Sequence, residues 1–344
     1  MSLLRGLGVP VVQAPMGGGP STPELAAAVA GAGGLGFLAA GYKSVEGLAA
    51  EIAATRELTD RFGVNLFVPG PRSAPDRFAA YVEELRESAG EAEVGKPRWS
   101  DDEWEAKLDL LGREPVAVVS FAFGCPSAEV VEGVKGNGAE AWATVTTPAE
   151  ARQAATAGVD ALIVQGHEAG AHQGSFDDEG AGEAFGLLAL LQLVDAETDL
   201  PLVASGGIAT GAGLAAVLAA GASAAQIGTA FLLCPEAGTS EPYRQAIRAG
   251  GPTEITRAFT GRRARGIVNR FLAEHRGAPS AYPEIHYATV PIRAAARERG
   301  EGDGLNLWAG QAHALVREEP AADVVVRLHA EARQALEAAL RADS

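Results

Sequence analysis

The sequence predicts an α/β fold: a (β/α)8 TIM barrel with a smaller, mostly helical cap domain after strand eight. Three observations carry that expectation. Eight short apolar runs recur along the chain. Helix-length stretches rich in Ala and Leu separate most of them. No GxGxxG turn follows an early strand with an acidic residue downstream, which sets aside the doubly wound open sheet.

The runs are VVQAP (11–15), GLGFLAA (34–40), GVNLFV (63–68), VAVVSFAF (116–123), AWATVT (141–146), ALIVQG (161–166), PLVASGG (201–207) and AAQIGTAF (224–231). Continuous rather than alternating hydrophobicity marks strands buried on both faces, as in a parallel sheet. Between them lie helix patterns such as PELAAAVAGAG and PAEARQAATAG, several closed by Gly, a common helix stop. Strand–helix alternation repeated eight times is the pattern of a closed barrel. The near-match GAGGLG (31–36) follows a helix and leads into a strand, the reverse of a dinucleotide turn, and reads as helix-stop chemistry.

The expected organisation is a barrel over residues 1–235, with an enlarged loop and helix at 69–112 after strand three. A helical cap follows over 236–318, where the repeat is lost among Pro, Gly and Arg clusters. The amphipathic stretch within 319–344 is expected to pack back on the barrel as a helix.

Composition narrows the function. With 47% hydrophobic and 21% charged residues in 344, the chain has material for a large core and reads as a soluble globular protein. A net charge of −16 argues against nucleic acid and anionic membranes as partners, yet leaves room for a local basic pocket. Cys125 and Cys234 form no CxxC or Cys/His cluster, so no metal site is expected. No leader-like segment opens the sequence and no apolar run reaches about 18 residues, so the expectation is a cytoplasmic protein.

Function in a barrel sits at the C-terminal ends of the strands. The first strand runs into QAPMGGG (13–19), whose glycines let backbone approach a flat ligand, or make an ordinary flexible loop. The seventh ends in ASGGIATGAG (204–213) and the eighth in QIGTAFL (226–232). Gly206, Gly207, Gly228 and Thr229 there suit phosphate, because backbone amides supply the positive end and the threonine adds a hydroxyl. The sixth ends in QGHEAGAHQGSF (165–176). A histidine in that setting, His172, can serve as a base near neutral pH, with small residues Gly170, Ala171 and Gly174 beside it leaving room for a planar partner. His167 is secondary; the two histidines have no third metal ligand nearby. Asn65 interrupts the apolar third strand. It is either a core amide bonded to backbone or a reader of a heterocycle edge. Gln13, Gln165 and Ser120 raise the same question. The arginines at 262, 263 and 265 could attract an anion or form a structural basic turn. No GxSxG, Walker A or HExxH occurs, which removes acyl-transfer, nucleotide-hydrolysis and zincin readings.

In this order, QAPMGGG, FGVNLF, QGHEAGAHQG, LVASGGIATG and AQIGTAFL resemble the nitronate monooxygenases, formerly 2-nitropropane dioxygenases, and the resemblance spans essentially the whole chain. TGRRARGIVNRF (260–271) and LWAGQAHALVRE (307–318) look like the family's cap and returning segment. The resemblance implies FMN at the barrel mouth, its phosphate on Gly206, Gly207, Gly228 and Thr229 beside Ser205. It also implies an isoalloxazine along Ala14, Pro15, Met16 and Gly17, with Asn65 at the pyrimidine edge, and His172 as the active-site histidine. The family often carries a second glycine where this chain has Ala171. The implied reaction is oxidation of alkyl nitronates, and of nitroalkanes, by O2 to a carbonyl compound and nitrite through a flavin semiquinone. An NAD(P)H-dependent flavin reductase of the same superfamily, acting on quinones or enoyl thioesters, is the alternative. A homo-oligomer is compatible with the sequence.

Overall fold

The computed structural model describes residues 3–88, 93–180 and 184–342. Residues 89–92 of the expected insertion, and 1–2 and 343–344 at the two ends, lie outside them.

Eleven strands occur among the described residues: β1 Val11–Gln13, β2 Gly36–Ala39, β3 Phe62–Phe67, β4 Val118–Ala122, β5 Glu140–Val145, β6 Ala161–Gln165, β7 Ala171–His172, β8 Leu202–Ser205, β9 Ala224–Ile227, β10 Thr253–Thr256 and β11 Ala264–Ile267. Eight pair in parallel in the order β1-β9-β8-β6-β5-β4-β3-β2. The ring closes where Gln13 N donates to Leu35 O at 2.8 Å and Leu35 N to Val11 O at 3.0 Å. The strands are the eight runs expected from the sequence. Their two faces explain the continuous hydrophobicity. Val12, Phe37, Val118, Trp142, Ile163 and Val203 fill the lumen, while Val11, Leu38, Val64, Val119, Leu162 and Ala204 meet the helices outside.

Side-chain caps fix where the helices begin. Thr22, Ser44, Ser127, Thr147 and Thr210 each accept a backbone N–H from three residues further on, a contribution of roughly 1 kcal/mol per helix. These caps stand near the strand ends and so define the mouth of the barrel. The helix Ala321–Ala342 lies across the helix Gly211–Ala219. Gly211 is needed at their contact, since a Cβ there would fall 2.1 Å from that of Glu331.

Two elements differ from expectation. Within 69–112, the helix Trp104–Arg113 packs between the helices Val45–Arg56 and Ala128–Gly136 and is the barrel's own third helix. Only the preceding part leaves the barrel. There Tyr81, Val82 and Leu85 of the helix Ala79–Ser88 join Phe259, Phe271 and Ile285 in a second core. The helix Ala79–Ser88 thus belongs to the cap. The cap also carries β10 and β11, which pair antiparallel, with β7 as the third strand. β7 is part of the loop after β6, so the cap sheet takes hold of His172 directly. Periodicity could not reveal this, because four-residue strands without alternation carry no period-two signal.

Candidate active site

One large cavity, of about 860 Å³, lies at the C-terminal ends of the barrel strands and beneath the cap. Every residue singled out for cofactor or catalysis lines it: Ala14, Pro15, Met16, Gly17, Asn65, Gln165, Gly170, Ala171, His172, Gly174, Ser205, Gly206, Gly207, Gly228 and Thr229. Gln13 and Ser120 do not. Gln13 braces strand ends by donating to Ser21 Oγ at 2.9 Å and accepting Phe37 N at 2.9 Å.

At the phosphate-like end, Gly206 and Gly207 have φ of 109° and 69°, a left-handed backbone that favours glycine. Their amides and that of Gly228 donate to no backbone or side-chain group among the described residues. Thr229 Oγ1 accepts Gly310 N at 3.1 Å, which leaves its hydroxyl proton free. Nearby, Gln226 Nε2 is buried without a partner. Along the first-strand loop a Cβ at Gly17 or Gly18 would meet nothing within 4 Å, so these positions open onto the cavity. Asn65 donates to Ser120 O at 3.2 Å and Ser120 Oγ at 3.0 Å. The amide oxygen of Asn65 has no bond to a described residue.

The glycines of the sixth loop have another use than the expected clearance for a planar partner. A Cβ at Gly170 would sit 2.5 Å from Gly310 N, and one at Gly174 would sit 2.6 Å from Thr144 Cγ2. Those glycines therefore admit neighbouring protein. Gln165 ties the loop down, donating to His172 O at 3.1 Å and accepting Gly174 N at 2.7 Å.

His172 Nε2 lies 2.9 Å from Thr260 Oγ1. Phe123, Tyr282 and Trp308 surround the ring, with centroids 5.4, 6.0 and 5.6 Å away. Burial, reinforced by the positive charge of Arg262, pushes its pKa down to about 3, so the imidazole is neutral at ordinary pH. His167 faces a smaller pocket on the other side of the loop.

The arginine cluster serves structure. Arg262 stacks over Phe123 at 4.1 Å and donates to Gln173 O and Ser175 O. Arg263 pairs with Asp178, and Arg265 donates to His167 O at 3.0 Å. None lines the large cavity.

Several lining residues carried no expectation from sequence: Tyr42, Phe123, Gln226, Thr260, His286, Arg293 and Trp308. Phe123 follows β4 directly and Tyr42 lies three residues past the end of β2, so the strand-end rule would reach them. Gln226 interrupts an apolar strand as Asn65 does. His286 and Arg293 sit on the cap helix Glu284–Glu298, where no local pattern separates them from surface residues. Tyr42 stacks on His286, rings 3.7 Å apart and 7° from parallel. Tyr42, Phe123 and Ala171 have φ of 66°, 74° and 63°. The remaining positive-φ residues other than glycine are Asp102, whose Oδ1 accepts the Tyr42 amide at 2.9 Å, and Glu103 next to it. Backbone strain thus collects at this one mouth, as it does at functional sites.

The cavity is cationic although the chain is acidic. Among the described residues, Arg98, Arg293 and Arg297 line it, and no Asp, Glu or Lys does. No group of three or more His, Cys, Asp or Glu among them could hold a metal, and no helix among them is long and apolar enough to cross a membrane.

The chain is similar to known proteins of one family over nearly its whole length. The family model described as nitronate monooxygenase matches residues 2–331. A nitronate monooxygenase of Paraburkholderia phytofirmans is 41% identical, over 97% of this chain and 95% of its own. One of Pseudomonas aeruginosa is 42% identical, over 96% and 98%. A crystal structure of a nitroalkane oxidase from Streptomyces ansochromogenes superposes with a TM-score of 0.94 at 49% identity, covering 98% of this chain and 99% of that one.

Proposed function

Because the chain belongs to the nitronate monooxygenase family, we propose that it binds FMN in the large cavity and oxidises alkyl nitronates with O2 to a carbonyl compound and nitrite. One observation carries the reading. A cavity lined among the described residues by three arginines and no acidic side chain, in a protein of net charge −16, also has His172, which burial keeps neutral, in its wall. Such a site suits an anionic substrate with an anionic cofactor.

The residues present fit FMN. The unbonded amides of Gly206, Gly207 and Gly228, with the Thr229 hydroxyl, would hold its phosphate. Ala14 to Gly17 offer a side-chain-poor wall for the ring system. Asn65 and the unpartnered Gln226 Nε2 supply polar contacts to a heterocycle. When bound, FMN supplies electron transfer from substrate and reaction with oxygen.

This chain's own residues bind, orient and exclude. His172, kept uncharged, hydrogen-bonds the nitronate oxygens. So low a pKa makes it a weak base, which favours a substrate that arrives already ionised over one from which a proton must be taken. Phe123, Tyr282 and Trp308 close around it and keep water from the reacting carbon.

The test is aerobic turnover of propyl-2-nitronate, with nitrite release and oxygen uptake followed together, alongside anaerobic mixing with NADH. We expect coupled nitrite and oxygen signals and no rapid flavin bleaching. Fast bleaching by NADH with neither signal would replace this reading by a flavin reductase. A colourless protein that takes up no FMN would remove both.

A further inference from the structure

The cationic lining is not uniform. Arg98 and Arg297 are exposed at the rim, with Arg98 lying over Tyr287 at 3.7 Å. Arg293 lies deeper. We propose that Arg293 is the residue that holds the negative charge of the substrate and thereby makes the site prefer the ionised nitronate over the neutral nitroalkane. This rests on the function proposed above and goes beyond it by assigning the binding of the substrate's charge to one side chain, beside the weak basicity of His172.

Three observations support the assignment. First, Arg293 has no ion-pair partner among the described residues, and only one terminal nitrogen is engaged. Its Nη2 donates to His286 O at 3.0 Å and meets His286 Nδ1 at 3.2 Å. Its Nε is buried without any partner. A half-buried guanidinium with open donors gains from an anion that completes it. Second, the carboxylate of the neighbouring layer cannot serve. Asp102 is committed to Lys107 Nζ at 2.8 Å and to the Tyr42 amide. Third, Arg293 lines the same cavity as His172, and its charge is one of those that hold His172 neutral. A planar anion between the two would meet the unengaged Nη1 of the guanidinium on one side and the imidazole on the other. Burial lowers the Arg293 pKa to about 10, which still leaves the group charged at neutral pH. Tyr42 and His286, stacked against each other, fix the arginine from beneath.

The experiment compares wild type with Arg293→Gln and Arg293→Lys on propyl-2-nitronate and on neutral 2-nitropropane. KM for the nitronate should rise ~10-fold or more in Arg293→Gln with kcat within ~3-fold, since a contact made equally in ground and transition states acts on KM. KM for 2-nitropropane should move less than ~3-fold, and Arg293→Lys should recover part of the nitronate affinity. Equal losses on both substrates would mean a merely structural arginine and would overturn the proposal. So would an unchanged nitronate KM. Titration with nitrate, a planar anion of similar shape that is not turned over, gives a reading independent of catalysis. Binding by wild type that weakens ~10-fold in Arg293→Gln supports the assignment even where nitronate turnover fails. Nitrate binding that is equal in both proteins, or absent in wild type, defeats it.

Discussion

His172 Nε2 stands 2.9 Å from Thr260 Oγ1, so a hydroxyl of the cap orients the histidine carried by a barrel loop. Thr260 Oγ1 also lies 3.3 Å from both the nitrogen and the oxygen of the Arg262 backbone. When that hydroxyl donates to the Arg262 carbonyl, Nε2 carries the ring proton; when it donates to Nε2, Nδ1 does. Thr260→Val should lower kcat/KM for the nitronate by ~10-fold, the worth of one orienting hydrogen bond, while Thr260→Ser stays within ~3-fold. His172→Asn should keep its FMN and lose most turnover, with His167→Asn close to wild type. Equal rates for His172→Asn and wild type on both nitroalkane and nitronate would remove His172 from the site.

Ala171 holds φ at +63° in β7, immediately before the histidine. That region disfavours a Cβ, so glycine would take this place with less strain. Ala171→Gly should raise stability by ~1 kcal/mol, read as the urea midpoint, and leave FMN binding unchanged. A loss of stability would mean that the methyl group packs better than its backbone strain costs.

Much of this site was legible because it follows strand ends. Gly206, Gly207 and Gly228 sit immediately after runs that are buried on both faces, and His172 in the loop that follows another, and such runs are recognised from composition alone. Arg293, His286 and Thr260 were not legible. They reach the cavity through the cap, whose placement depends on the second core formed by Tyr81, Leu85, Phe259 and Ile285. Contacts between residues so far apart in sequence leave no local pattern. The cluster at 262, 263 and 265 was conspicuous for the opposite reason, since a basic run is easy to see. Its charges are spent on backbone carbonyls and on Asp178.

Two neutral histidines make the fold sensitive to acid. Burial lowers His172 to about 3 and holds His286 well below the ordinary value. As pH falls below the unfolded value of about 6.5, the unfolded chain takes up protons that the folded protein refuses. Stability is therefore complete above that pH and lost below it, by up to ~1.4 kcal/mol per pH unit for each histidine. Urea midpoints between about pH 6.5 and about pH 5 should fall in wild type and fall less in His172→Asn. Parallel slopes would show that His172 takes up its proton equally readily in both states.

Gln226 Nε2 is an orphan donor in the cavity wall. If FMN completes it, Gln226→Leu should weaken flavin binding ~10-fold by fluorescence titration. The flavin-free variant should be as stable as wild type or more so, because a buried unsatisfied amide has been removed. Unchanged flavin affinity would leave Gln226 without a ligand role.

Lys107, 1% exposed, reaches Ala40 O at 3.0 Å and Asp102 at 2.8 Å, and Asp102 in turn receives the Tyr42 amide. This buried pair holds the left-handed turn that lays Tyr42 against His286. Burial already raises the Asp102 pKa, and Lys107 is the main influence drawing it back. Lys107→Met would leave the carboxylate partly buried and unpaired, at a cost of ~2 kcal/mol. Its pKa would rise further, so the folded state would bind a proton that the unfolded chain has released. The variant's stability should then decline as pH rises, with a larger penalty at about pH 8 than at about pH 5. Adding Asp102→Asn should restore part of the loss and flatten that dependence. A penalty independent of pH would mean that Lys107 acts by filling space, and that the Tyr42 turn stands without the ion pair.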